Sequence, residues 1–141
     1  MRRICWDTML FIYLLEGNPR HVSRVQDILE HCYQRGDFLC CSYLALGEVL
    51  AGASLSADPE KETVIQNAIR EIGFHFLPFD QGAVLPFSRL RAKQKLRAAD
   101  AIHLACAASA GVDLFLTGDK QLMKVYVPGV QFIADIYTPL I

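Results

Sequence analysis

The sequence predicts an α/β domain built on a largely parallel sheet covered on both faces. Short apolar runs alternate with longer stretches of helical period, several of the short runs are apolar at every position, and glycine or proline punctuates the junctions. No linker or repeat divides the chain, so a single domain over residues 1–141 is expected.

Ile4-Cys5-Trp6 reads as a strand ending at Asp7-Thr8, and Leu10, Tyr13 and Leu14 then recur at helical spacing until Gly17-Asn18-Pro19. From His21 to Gln34, Val22, Val25, Ile28, Leu29 and Cys32 form the stripe of an amphipathic helix that Gly36 ends. Phe38 to Cys41 is a second strand. Ser42 caps a helix through Glu48 to Ala51, and Asp58-Pro59 opens another that carries Val64, Ile65, Ala68, Ile69 and Ile72 and stops at Gly73. Phe74 to Leu77 is a third strand, Asp80 caps a helix to Leu96, and the alanine-rich Ala98–Ala110 is a helix ended by Gly111. Asp113 to Leu116 and Val130 to Ile133 complete a set of five strands.

Composition narrows the functional classes. At 141 residues with 52% hydrophobic and 21% charged positions, the chain can build a core without staples. Five cysteines, with neither a C-x-x-C pair nor zinc-site spacing, fit a reducing cytoplasm. Asp7 interrupts what would otherwise resemble a signal peptide after Arg2-Arg3, and the longest clean apolar run, Met9 to Leu15, falls far short of the ~20 residues of a spanning helix, so no membrane role is expected. The net charge of -1 provides no global field for nucleic acid, and neither dinucleotide nor P-loop glycine motifs occur.

Asp7, Glu48, Asp100 and Asp119 stand inside or directly beside apolar sequence, where a lone carboxylate is costly to desolvate. Asp7 and Asp119 follow strands, and in open parallel sheets ligands bind beyond the carboxyl ends of the strands. Acids gathered there repel one another unless a divalent cation neutralises them, and an all-oxygen set selects a hard ion such as Mg²⁺ or Mn²⁺. Such an arrangement supports metal-assisted hydrolysis of a phosphodiester. Taken singly, each acid reads equally well as a cap, a turn residue or a solvated position.

Asp7-Thr8 with the apolar run Leu10 to Leu15, then Leu46-Gly47-Glu48-Val49, Arg91-Ala92-Lys93 leading to Ala99-Asp100-Ala101-Ile102-His103-Leu104-Ala105, and Leu116-Thr117-Gly118-Asp119 resemble the PIN-domain ribonucleases. Within them the chain is most similar to VapC-type toxins of bacterial toxin–antitoxin pairs, from Ile4 to Ile133. The resemblance implies a three-layer α/β/α fold with a mostly parallel five-stranded sheet, Mg²⁺- or Mn²⁺-dependent cleavage of RNA, a small antitoxin partner and a homodimer. It implies that Asp7, Glu48, Asp100 and Asp119 bind the metal, for which we expect Asp7 and Asp100 as principal ligands, Glu48 as ligand or water-orienting base and Asp119 as outer ligand or proton acceptor, with Thr8 and Thr117 as supporting residues. The antitoxin would lie along the amphipathic segments Met9 to Glu16 and Pro59 to Ile72. Met9, Ala99 and Gly118 depart from the family pattern without removing a proposed ligand.

Arg89, Arg91, Lys93, Lys95 and Arg97 form an acid-free run, and on one continuous helix Arg89, Lys93 and Arg97 share a face suited to phosphates. The plainer reading is a solvated helix face. Lys120 and Lys124 are weaker candidates of the same kind. His103, three residues after Asp100 and on nearly the same helix face, has the chemistry to ligate metal or act as a base, the plainer reading being a hydrogen-bonding residue in the core or near the site; Cys106 reads as a small core residue. Two other functions fit the same residues: an RNA-processing nuclease without an antitoxin, and a catalytically silent module that binds RNA or protein through the Arg89–Arg97 run.

Overall fold

The computed structural model describes residues 1–54 and 58–139. In chain order the elements are β1 (Arg3–Trp6), α1 (Thr8–Leu15), α2 (Val22–Arg35), β2 (Phe38–Ser42), α3 (Tyr43–Ser54), α4 (Lys61–Ile72), β3 (His75–Leu77), α5 (Gln81–Lys93), α6 (Ala98–Ala110), β4 (Leu114–Thr117), a 3-10 turn (Lys120–Lys124) and β5 (Phe132–Asp135). The five strands pair in the order β3-β2-β1-β4-β5, and every pair is parallel.

Alternation along the strands divides the core into two. Ile4, Trp6, Leu39, Cys41, Leu114 and Leu116 point to one face, where the stripes of α1, α2, α3 and α4 cover them. Cys5, Cys40 and Phe115 point to the other face, against Leu90 of α5 and Ala101, Leu104 and Ala107 of α6. The small side chains of α6 bring its backbone close to the sheet, and its residues from His103 to Ala107 are buried. On the first face, Trp6, Phe11 and Phe74 meet with ring centroids 4.7 to 5.1 Å apart. The layers are therefore α/β/α.

Three expectations need correction. The helix from Asp80 ends at Lys93 instead of Leu96: Lys95 takes a left-handed backbone, φ 56°, and the Leu96 N–H turns back to the Leu90 carbonyl. Arg97 consequently stands outside α5, and the proposed common face of Arg89, Lys93 and Arg97 does not exist. Asp80 does sit at the N-cap, but its carboxylate accepts from the Ser109 hydroxyl at 2.7 Å and makes no cap bond. The last strand lies two residues later than expected, because Val130 is apolar for another reason: it closes a turn on Val127 and is buried in the α5/α6 layer.

From β1 the chain builds outward through β2 to β3, then returns to the other side of β1 with β4 and β5. The carboxyl ends of β1 and β4 are thus neighbours at the point where the strand order reverses, which is where such sheets leave a crevice.

Candidate active site

Asp7 leaves β1 and N-caps α1. Its Oδ1 accepts from the Met9 N–H at 3.0 Å, while Oδ2 accepts from the Thr117 hydroxyl and, at 3.1 Å, from the Gly118 N–H. The residue is only 7% exposed. Burial pushes its carboxyl above the ordinary range, against the opposing pull of the Thr117 and Gly118 hydrogen bonds, His103 and the Met9 N–H. A negative charge at Asp7 is therefore held at a cost that a nearby cation would offset.

Thr117, fully buried at the end of β4, links two of the acids. Its hydroxyl donates to Asp7 and accepts the Asp119 N–H at 3.0 Å, and Asp119 in turn caps the 3-10 turn through the Gln121 N–H at 2.9 Å. Gly118 and Met9 occupy one small space: a Cβ added at 118 would stand 3.1 Å from the Met9 Cβ and 3.2 Å from the Tyr13 hydroxyl. The two departures from the family pattern thus fit each other, and the Met9 backbone supplies the contact to Asp7.

Glu48 projects from α3, and its Oε1 accepts from the Thr8 hydroxyl at 2.7 Å and lies 2.8 Å from the Nε2 of His103 on α6. Asp100, in the first turn of α6, pairs with Arg97 at 3.1 Å. Asp7, Glu48, Asp100 and Asp119 all line one cleft of about 400 Å³, together with Thr8, Met9, Arg97 and His103. Sequence spacing offered no sign that His103 and Glu48, 55 positions apart, would meet, nor that Arg97 would face Asp100 instead of extending α5.

Among the described residues, no three His, Cys, Asp or Glu side chains stand close enough together to enclose an ion. Mg²⁺ does not demand such a cage, since it takes one or two carboxylates and retains several waters. The donor set fits a hard cation, being four carboxylates, a threonine hydroxyl and no thiol, with the His103 imidazole engaged by Ser42 and Glu48.

The basic residues gather differently from the expected helix face. Lys95, Arg97 and Lys124 line a hollow that also includes Asp100 and Asp119, so cations flank the acids directly. Arg89 and Lys93 line a separate, more apolar recess with Tyr126, tied to α5 by the Gln94 side chain donating to the Tyr126 carbonyl at 2.7 Å. Arg91 donates to the Leu96 carbonyl at 2.9 Å and faces neither hollow. A second apolar cleft, lined by Ile12, Leu15, Val49 and Ile65, runs between α1, α3 and α4. No described helix is long and apolar enough to cross a membrane.

Comparison with known proteins finds a match over residues 4–128 to the family model described as PIN domain. No curated protein matches the chain. Among solved structures, it superposes on VapBC2 from Rickettsia felis, crystallised with a DNA fragment from its promoter, with a TM-score of 0.75 at 16% identity, over 94% of this chain and 98% of that one. A toxin–antitoxin complex from Klebsiella pneumoniae gives 0.67 at 23% identity, over 90% and 94% of the two chains. FitAcB from Neisseria gonorrhoeae gives 0.64 at 23% identity, over 82% and 87%. At these identities the likeness is one of fold.

Proposed function

The chain belongs to the PIN domain family, and from that membership we propose that it is a divalent-cation-dependent endoribonuclease, the toxin of a type II toxin–antitoxin pair. The observation that carries this reading is the convergence of Asp7, Glu48, Asp100 and Asp119 on one cleft at the carboxyl ends of β1 and β4. A protein that only bound RNA would gain nothing from acids placed where a phosphate must approach.

Asp7 and Asp100 would hold Mg²⁺ or Mn²⁺, which supplies charge neutralisation at the scissile phosphate and acidifies a water. Thr117 and Gly118 keep Asp7 in place by donating to Oδ2. Thr8 fixes Glu48, whose carboxylate orients the attacking water, and Asp119 accepts a proton or serves as an outer ligand. Lys95, Arg97 and Lys124 bind the phosphates on either side of the cleavage point. Arg89 and Lys93 contact RNA further along the strand.

The antitoxin occupies the apolar cleft between α1, α3 and α4 with an amphipathic segment. Support comes from the segments themselves: the Met9–Glu16 and Pro59–Ile72 stretches that the sequence singles out form its walls through Ile12, Leu15 and Ile65. Val84 and Leu85, exposed on α5, offer an apolar patch to a second copy.

Purified protein, freed of any partner, is incubated with total RNA in Mg²⁺, Mn²⁺ or EDTA beside Asp7→Asn and Asp100→Asn. Metal-dependent cutting that both variants lose supports the reading. Cutting that persists in EDTA, or in a clean Asp7→Asn preparation, defeats it.

A further inference from the structure

Ser42, at the end of β2, accepts the Ala45 N–H at 3.0 Å and so caps α3. The same hydroxyl lies 2.7 Å from Nδ1 of His103, and the opposite ring nitrogen lies 2.8 Å from Oε1 of Glu48. Ser42 and His103 are both buried, at 1% and 5% exposure, whereas Glu48 is an exposed residue on the surface of α3. A buried pair thus reaches outward to one oxygen of an acid in the cleft.

The direction of each hydrogen bond follows from its partners. An ionised Glu48 carboxylate has no proton to give, so His103 Nε2 must be the donor. Thr8 donates to the same Oε1 at 2.7 Å. When the ring carries a single proton, that proton is on Nε2, so Nδ1 accepts and the Ser42 hydroxyl donates to it while its oxygen receives the Ala45 N–H. The chain of donors runs from the Ala45 N–H to Ser42, to His103, to Glu48, with Thr8 converging on the end. The senses of these hydrogen bonds are mutually consistent, with Oε1 of Glu48 accepting twice and the Ser42 hydroxyl both accepting and donating.

We propose that His103 is a positioning residue: anchored at Nδ1 by Ser42 and donating through Nε2–H, it clamps Oε1 of Glu48 so that Oε2 is the oxygen offered to water or metal in the cleft. An unpinned glutamate on an exposed helix face samples several rotamers. Two donors on one oxygen, from α1 and α6, reduce these to one. The assignment of tautomer and clamp stands on the hydrogen bonds alone, while its importance for catalysis rests on the nuclease reading above.

The tautomer is read by long-range proton–nitrogen NMR of ¹⁵N-histidine-labelled, metal-free wild type in mildly alkaline buffer. The expected His103 pattern is a protonated Nε2 with a bare Nδ1, and a proton on Nδ1 overturns the proposal. In parallel, Mn²⁺ binding and RNA cleavage are measured for His103→Gln and His103→Asn, with folding checked by circular dichroism. Glutamine places its amide nitrogen near the Nε2 position and keeps the donor to Glu48; asparagine reaches only toward Ser42.

His103→Gln should stay within about threefold of wild type, and His103→Asn should lose roughly 10- to 100-fold in Mn²⁺ affinity and cleavage. Adding His103→Asn to Glu48→Gln should cost nothing further. Equal losses in both His103 variants, or wild-type Mn²⁺ affinity in His103→Asn, overturn the positioning role. If wild type cuts no RNA at all, the nuclease reading fails, and the tautomer still decides the clamp. If a variant does not fold, the NMR result on wild type remains decisive.

Discussion

Arg97 holds Asp100 at 3.1 Å from a position three residues earlier, at the N-cap of α6. The guanidinium is 81% exposed and the carboxylate 18%, so the pair sits at the rim of the cleft with the cation outermost. Under the proposed function, Arg97 would compete with a divalent ion for Asp100 while offering its charge to RNA.

Replacing it by alanine separates these two effects. Arg97→Ala should change stability by less than about 1 kcal/mol, as expected for an exposed pair. Mn²⁺ should bind several-fold more tightly, because Asp100 loses its internal cation, while KM for RNA rises. Calorimetric Mn²⁺ titration beside steady-state cleavage distinguishes this from an Arg97 that only touches substrate, which would leave metal affinity unchanged.

Asp7 sets a pH dependence. Burial raises its folded pKa above the unfolded value, so the folded state binds the proton more tightly. Its contribution to stability is complete below the ordinary carboxylate range and is lost as pH rises through the raised value. The metal-free protein should therefore lose part of its thermal stability as pH rises above the ordinary carboxylate range. Mn²⁺ should restore it, and Asp7→Asn should flatten the slope. Melting temperatures across that window in EDTA and in Mn²⁺ provide the check; parallel curves for wild type and Asp7→Asn would remove Asp7 as the cause.

Thr117→Val keeps the shape of the β4 terminus and deletes the hydroxyl shared by Asp7 and Asp119. Removing one of the two donors to Oδ2 of the buried Asp7 should cost about 1 to 3 kcal/mol in urea unfolding. Cleavage should fall as well, since both acids lose a tether, and a cleavage loss without a stability loss would mean the hydroxyl acts on substrate instead.

Lys95 and Lys124 flank the acids without making an ion pair among the described residues. Alanine at either should leave melting unaltered and weaken binding of single-stranded RNA to an Asp7→Asn background. The slope of log affinity against log salt should shrink by roughly 0.7 for each lysine removed. An unchanged slope places the RNA elsewhere.

Gly129 has φ +99°, and a Cβ there would come within 2.8 Å of the Ala108 carbonyl oxygen. Gly129→Ala combines a left-handed strain with a clash against the α6 backbone and should destabilise by about 1 to 3 kcal/mol or more. Chemical unfolding measures it, and a neutral result would show that this loop does not need to pack on α6.

Much of the architecture was legible in the sequence because local pattern and burial agree. The stripe Val25, Ile28, Leu29 and Cys32 is the buried face of α2, and Gly36, Gly73 and Gly111 each end a helix. Misreadings arose where an apolar or charged run served a different element: Val130 packs beneath α6 instead of pairing in β5, and the run from Arg89 to Arg97 is broken by the left-handed Lys95. The four acids could be ranked by their apolar surroundings, and all four line the cleft. Their supports could not be foreseen. The contacts of Glu48 with His103 and of Asp100 with Arg97 depend on how α3, α5 and α6 are set against one another, which residue spacing does not encode.

The strand order has a consequence for biosynthesis. β1 is made first but lies at the centre of the sheet, and its neighbour β4 brings Thr117 to Asp7 from 110 positions later. At ~5–20 residues per second, roughly 5 to 20 seconds of translation separate the two residues. A ribosome that stalls before β4 holds a chain with Asp7 and Glu48 but without Thr117 or Asp119, so truncated products have no assembled cleft. The cleft can therefore close only after β4 has been made and has paired with β1.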